Sequence, residues 1–262
     1  MADRAPSADG LAAPARPGAA PALDAVVFDA GGTLVRLDFE WMAAALAEAG
    51  FATDAATLRR GEIEGRRRYD RSWRVPELAT APLGRRGDIR AYFGGTLEAA
   101  GVPAVSTAEM VDHFLAREKS SGLWSRPMEG ARAALDGVAA MGLRRAVVSN
   151  SDGRAEGHLR QSNVLDGIEF VVDSQRVGVE KPDPEIFRIA LRRLGVDAAR
   201  ALYVGDIRSV DEEGARAAGM PFVLVDPYGD YGAPGRPAIA GIGELPRWIA
   251  AHYTLNHLAQ GG

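Results

Sequence analysis

The chain has 262 residues, 47% of them hydrophobic and 25% charged, with a net charge of −4. That is the composition of an ordinary folded protein, long enough for one large domain or two modest ones. The small acidic balance gives no general reason to expect nucleic-acid or membrane partners, and no apolar run approaches the roughly 20 residues needed to span a bilayer. Cysteine is absent, which excludes disulfides, thiolate metal sites and thiol chemistry. Basic residues are nearly all arginine, and Lys119 and Lys181 are the only lysines.

Residues 1–22 are rich in Ala and Pro, lack periodicity, and read as a disordered tail. They have neither the apolar core of a signal peptide nor the amphipathic face of a transit peptide, so a cytoplasmic protein is expected. The run Ala25 to Phe28 reads as a strand buried on both faces. It ends at once in Asp29, Ala30, Gly31, Gly32 and Thr33. A carboxylate at the C-terminal end of a parallel strand lies in the crevice where open α/β sheets bind ligands. Taken alone, Asp29 could equally cap a turn. Asp38 then reads as the N-cap of a helix running to Gly50, and helices follow near 54–72, 87–100 and 106–119. This is an all-α insert over residues 38–124.

Strand–helix alternation resumes from residue 125. A helix near 129–141 is closed by Gly142, and Arg145 to Asn150 reads as a strand. Further strands are expected over Ile168–Asp173, Ala201–Val204 and Pro221–Asp226. Asp183-Pro184 supplies an N-cap with Pro at the first helical position, for a helix ending before Gly195. Ser209 to Glu212 has the spacing of a capping box. After a Gly/Pro/Tyr-rich loop over 227–241 comes a C-terminal helix containing Trp248. The expected fold is therefore α/β: a doubly wound parallel sheet from residues 23–37 and 125–262, interrupted by the helical insert.

Asp29, Ser149, Lys181, and Asp206 with Asp211 all fall at or just beyond the C-terminal ends of predicted strands, which converge on one crevice in such a sheet. A nucleophilic carboxylate, a hydroxyl, a compact ammonium and further carboxylates suit the binding of a divalent cation and attack on a phosphoryl group. Singly, each has a simpler reading: Ser149 as a turn residue, Lys181 as a solvated loop charge, Asp211 as a complement to a helix dipole.

In sequence order, Phe28-Asp29-Ala30-Gly31-Gly32-Thr33-Leu34, Val148-Ser149-Asn150, Glu180-Lys181-Pro182-Asp183-Pro184, and Val204-Gly205-Asp206 through Asp211 to Gly219 together resemble the haloacid dehalogenase superfamily. Its members are mostly magnesium-dependent phosphatases. The resemblance spans about residues 24 to 226 and implies a Rossmann-like core whose insert is a C1-type helical cap. It implies that Asp29 takes the phosphoryl group as an aspartyl-phosphate, and that Ser149, Asn150 and Lys181 face the substrate. Mg²⁺ would be held by Asp29, the Gly31 carbonyl, Asp206 and Asp211, and the substrate would be a small phosphorylated metabolite. Oligomeric state is not legible.

One position departs from that pattern. Phosphatases of the superfamily usually carry an aspartate two residues after the nucleophile, where this chain has Gly31. The missing carboxylate would protonate the leaving oxygen and then activate water, a contribution typically worth about 10²–10⁴-fold. A leaving group that needs no proton, or a cap residue acting instead, would reconcile the departure with phosphatase activity. Alternatives are a carbon–halogen hydrolase of the haloacid dehalogenase type, or a non-catalytic protein that binds phosphorylated ligands. Gly31→Asp is expected to speed ester turnover if the site has room.

Within the insert, residues 59–90 hold ten arginines against five acids. Most of these arginines read as a solvated helix face with i,i+4 pairs such as Glu62 with Arg66 and Glu64 with Arg68. One or two would be free to face an anionic substrate. Trp41, Trp73, Tyr69 and Tyr92 read as core or interface of the insert.

Overall fold

The computed structural model of the chain describes residues 20–73 and 87–255. It opens with three short strands, β1 (Ala22–Leu23), β2 (Ala25–Phe28) and β3 (Val35–Leu37). Four helices follow: α1 (Phe39–Glu48), α2 (Ala55–Trp73), α3 (Ile89–Ala99) and α4 (Ala104–Ser121). After β4 (Trp124–Pro127) the chain alternates through α5 (Ala131–Ala140), β5 (Arg144–Ser149), α6 (Ala155–Gln161) and β6 (Val171–Asp173). Next come α7 (Ser174–Val177), α8 (Pro184–Leu194), β7 (Ala201–Gly205), α9 (Glu213–Ala217) and β8 (Phe222–Val225). The described chain closes with β9 (Ala238–Ile239), α10 (Leu245–His252) and β10 (Thr254–Leu255).

A six-stranded sheet of order β6-β5-β2-β7-β8-β9 is parallel throughout. All four residues of β2 are buried because the strand is central and helices cover both faces. Val26 and Phe28 pack with α5 and α10 through Leu135, Val138, Leu245 and Ile249. Ala25 and Val27 pack on the opposite face with α8 through Ile186, Phe187, Ala190 and Leu194. An unbroken apolar run is what such a two-sided position requires. From β2 the chain runs outward through β5 to β6 on one side, then returns to β7, β8 and β9 on the other, so the crevice beyond β2 is the topological switch point. The expected doubly wound α/β architecture is the observed one.

Helices α1 to α4 build a separate apolar cluster that includes Phe39, Met42, Leu46, Leu58, Phe93, Leu97 and Phe114. Helix α2 lies directly against α3: a Cβ at Gly65 would sit 2.3 Å from the Thr96 hydroxyl oxygen. Asp38 caps α1 by accepting from the Trp41 amide at 3.1 Å, and Asp183 caps α8 from the Glu185 amide at 2.9 Å, with Pro184 in its first turn. No described helix is long and apolar enough to cross a membrane.

Three features differ from expectation. First, β3 and β4 pair antiparallel, linking segments on either side of the helical unit. The sequence reading had no strand there, because three- and four-residue strands carry too few side chains to show a period. Second, the presumed capping box is absent: Arg208–Glu212 winds as a π-turn whose N-cap, Ile207, makes no side-chain cap bond, and the Ser209 hydroxyl is buried without a partner. The Ser209 amide is taken instead by Asp70 of α2 at 2.9 Å. Third, the tail expected over residues 1–22 lies outside the described residues as far as residue 19, whereas Ala22 and Leu23 pair with Thr254 and Leu255.

Candidate active site

The site grows out of the end of β2. The Asp29 amide continues the sheet ladder to the Val204 carbonyl at 2.8 Å, which fixes the residue just past the strand, where its side chain is 6% exposed. The Lys181 ammonium donates to Asp29 Oδ1 at 2.5 Å, to Asp211 Oδ1 at 2.7 Å and to the Tyr203 hydroxyl at 3.1 Å. Three donors meet three oxygens, so the ammonium is saturated although it is only 2% exposed. Burial alone would lower the Lys181 pKa, but Asp211 and Asp29 overcome it and hold it well above the usual lysine value. Conversely, burial raises the Asp29 carboxyl to about 6 against the pull of Lys181.

Asn150 fixes the lysine from behind. Its Nδ2 donates to the Lys181 carbonyl at 2.9 Å, and its Oδ1 accepts from the Lys181 amide at 2.7 Å. Ser149 ends β5 beside them and is 6% exposed. Asp211 is wholly buried, and its Oδ2 accepts the amides of Asp206 at 3.1 Å and Ile207 at 2.9 Å. The π-turn brings this carboxylate back onto the loop that carries Asp206, and π-type turns recur at functional sites for such reasons.

Asp29, Asp206 and Asp211 present oxygens that all lie within 4.8 Å of one another. Asp206 Oδ1 is buried with no hydrogen-bond partner, and burial, only partly offset by Arg66, holds this carboxyl well above its usual range. Gly32 has φ +76°, and a Cβ there would stand 2.0 Å from Asp206 Oδ2, so the turn after Asp29 admits no side chain. A crowded, all-oxygen donor set with an orphaned lone pair fits a hard divalent cation such as Mg²⁺.

Sequence reasoning missed three residues that reach this cluster. Arg66 of α2 is 1% exposed. Its guanidinium lies 3.3 Å from Asp206 Oδ2 and 3.3 Å from Glu62 Oε2, and it donates to the Val225 carbonyl at 3.3 Å. Glu62 also accepts from the Tyr92 hydroxyl at 2.5 Å. The Glu62–Arg66 pair expected on a solvated face is thus buried over the crevice, while Glu64–Arg68, at 3.3 Å, is half-buried away from it. Leu58, Glu62 and Arg66 share one i,i+4 stripe, and the buried Leu58 was the available signal that this face points inward. Arg60 and Arg67 tie α2 to Asp230, each at 2.6 Å. Arg74, Arg85 and Arg86 lie outside the described residues. A shallow, solvent-open cleft is lined by Arg36, Arg59, Glu62 and Arg66, with Phe39 and Met128 among its apolar walls.

The third missed residue is Trp124. A Cβ at Gly31 would meet its Cδ1 and Nε1 at 3.0 Å. The β3–β4 pairing carries the indole over the position where related phosphatases have their second aspartate. The room that Gly31→Asp requires is therefore tight, and Trp124 must give by a few tenths of an ångström to admit even a Cβ.

Two outcomes test this geometry. Lys181→Met strands Asp29 and Asp211 as adjacent buried carboxylates and should cost about 3–5 kcal/mol in urea unfolding, partly recovered when Asp211→Asn is added. Gly31→Asp should cost about 1–3 kcal/mol through overpacking, relieved in part by Trp124→Ala in the same chain.

Residues 23–219 match the family described as haloacid dehalogenase-like hydrolase. Haloacid dehalogenase-like hydrolase domain-containing protein 3 of Mus musculus is 41% identical over 130 residues, 50% of this chain and 52% of the relative. A phosphoglycolate phosphatase of Cupriavidus necator is 39% identical over 117 residues, 44% of this chain and 49% of the relative. The chain thus spans about half the length of the curated relatives it matches. Among solved structures, 2-haloacid dehalogenase from Pseudomonas syringae pv. Tomato superposes with a TM-score of 0.51 at 26% identity, covering 87% of this chain and 99% of that one. With the parallel sheet, the helical unit after its first strand and the carboxylate–lysine cluster at the switch point, these matches establish that the chain belongs to the haloacid dehalogenase-like hydrolase family.

Proposed function

We propose that this hydrolase is a Mg²⁺-dependent phosphatase that transfers the phosphoryl group of a small metabolite to the Asp29 carboxylate. The observation that carries the reading is the Asp29–Lys181–Asp211 arrangement beside the orphaned Asp206 oxygen. Phosphoryl transfer needs chiefly positioning and neutralisation of charge. Lys181 supplies both: its ammonium orients Asp29 and offsets the charge that the carboxylate and phosphoryl oxygens bring together. Its compact, point-like charge suits a site too crowded for a guanidinium fork.

The remaining roles follow from position. Ser149 hydrogen-bonds a phosphoryl oxygen. Asn150, expected beside the substrate, has its amide engaged by the Lys181 peptide and so sets where the ammonium sits. Asp29, Asp206, Asp211 and the Gly31 carbonyl would hold Mg²⁺, which when bound screens the phosphoryl charge. The helical unit acts as the cap, and the three arginines that line its open cleft suit an anionic substrate. The likeness to a phosphoglycolate phosphatase supports the same class of chemistry.

A carbon–halogen hydrolase draws support from the missing acid at Gly31, because a halide leaves without a proton. Two further buried carboxylates beside the nucleophile argue for a cation instead. In a screen of phosphorylated metabolites, phosphate release should require Mg²⁺ and vanish in Asp29→Asn, and Mg²⁺ should raise the melting temperature of the wild-type protein. Halide release without metal, or no turnover on any phosphate, would contradict the proposal.

A further inference from the structure

The position that normally supplies the acid and base of a phosphatase of this kind is a glycine here, and Trp124 covers it. Some other group must move the proton if esters are to be hydrolysed at a useful rate. Among the described residues, Glu62 is a buried carboxylate of the helical unit that lines the cleft beside the cluster. It is separated from Asp206 by the single guanidinium of Arg66, which touches both acids at 3.3 Å. The Tyr92 hydroxyl at 2.5 Å and Arg66 hold the carboxyl in one orientation, as a proton-transfer group requires. Asp70, another acid of α2, is taken up by the Ser209 amide and the Tyr231 hydroxyl.

We infer that Glu62 is the general acid–base of this site, delivered from α2 in place of the carboxylate absent at Gly31. The inference rests on the proposed phosphoryl transfer to Asp29. In the first half-reaction the substrate's phosphoryl oxygens draw Arg66 from Glu62, which takes a proton from solvent; an Asp29 oxygen then bonds to phosphorus, the bond from phosphorus to the leaving oxygen breaks, and that oxygen takes the proton from Glu62. In the second, water attacks the phosphorus of the aspartyl-phosphate and gives its proton to Glu62. The phosphorus–Asp29 bond breaks with its electron pair returning to the carboxylate, which releases phosphate and restores both residues. Binding α2 over the crevice therefore completes the catalytic set as well as shielding it.

The test compares leaving groups. Glu62→Gln keeps the shape and a hydrogen-bonding partner for Tyr92 but cannot accept the proton. Hydrolysis of 2-phosphoglycolate, an alkyl phosphate, should fall about 10²–10⁴-fold. Acetyl phosphate, whose leaving group needs no proton, should still phosphorylate Asp29, and the variant should accumulate the covalent phosphate because water is no longer activated. Glu62→Ala should regain part of the lost rate on addition of formate. A folded Glu62→Gln protein that turns over 2-phosphoglycolate at the wild-type rate overturns the inference. So does a variant in which phosphorylation by acetyl phosphate slows as much as ester hydrolysis and no phosphoenzyme builds up. If the wild-type protein takes no phosphoryl label at all, the phosphatase reading itself has failed; labelled wild type with an unaffected Glu62→Gln removes only the role of Glu62.

Discussion

One buried ammonium organises the centre of this protein. Lys181 comes from the loop before α8, Asp29 from the end of β2 and Asp211 from the π-turn after β7, and the lysine holds the two acids with bonds of 2.5 and 2.7 Å. Carboxylates this close repel strongly where water is excluded, and the shared ammonium offsets that repulsion. The rest of the local structure serves that contact. Asn150 grips the lysine backbone, Tyr203 takes its third proton, and Asp211 uses its second oxygen to hold the loop of Asp206. Because β2, β5 and β7 are adjacent parallel strands, their C-terminal ends bring Asp29, Asn150 and Asp211 to the point that Lys181 reaches from the loop before α8.

A second ionic layer comes from outside the sheet. Helix α2 places Arg66 on the one cluster carboxylate that Lys181 does not touch, and ties itself to the core through Asp70, Arg60 and Arg67. These polar bonds act together with Ile63 of α2, which packs into the apolar cluster of the sheet, to hold the helical unit onto the crevice.

The elements legible in the sequence were those in which a single segment carries its own signal. The apolar run 25–28 ending in an acid and two glycines marked both the central strand and Asp29. Lys181 stood out because the chain has only two lysines, and Asp183-Pro184 marked the start of α8. What stayed hidden depends on contacts between distant segments. Trp124 lies over Gly31 only because two short strands flanking the helical unit pair with each other, and neither is long enough to declare itself. Glu62 and Arg66 have the spacing of an ordinary surface pair, and the apolar Leu58 one turn earlier on the same stripe is the sequence feature that marks their face. The expected capping box failed because Asp211 is held by Lys181 and the amides of Asp206 and Ile207, so the chain winds through a π-turn to reach them.

The proposed function depends on the Asp29 carboxylate, oriented by Lys181, receiving a phosphoryl group. The most direct measurement is to mix the wild-type protein with acetyl phosphate and Mg²⁺, quench in acid, and locate the covalent phosphate by peptide mass spectrometry. The account predicts a label on Asp29 that decays on return to neutral pH. A label on any other residue, or none under conditions where the protein releases phosphate, would contradict it.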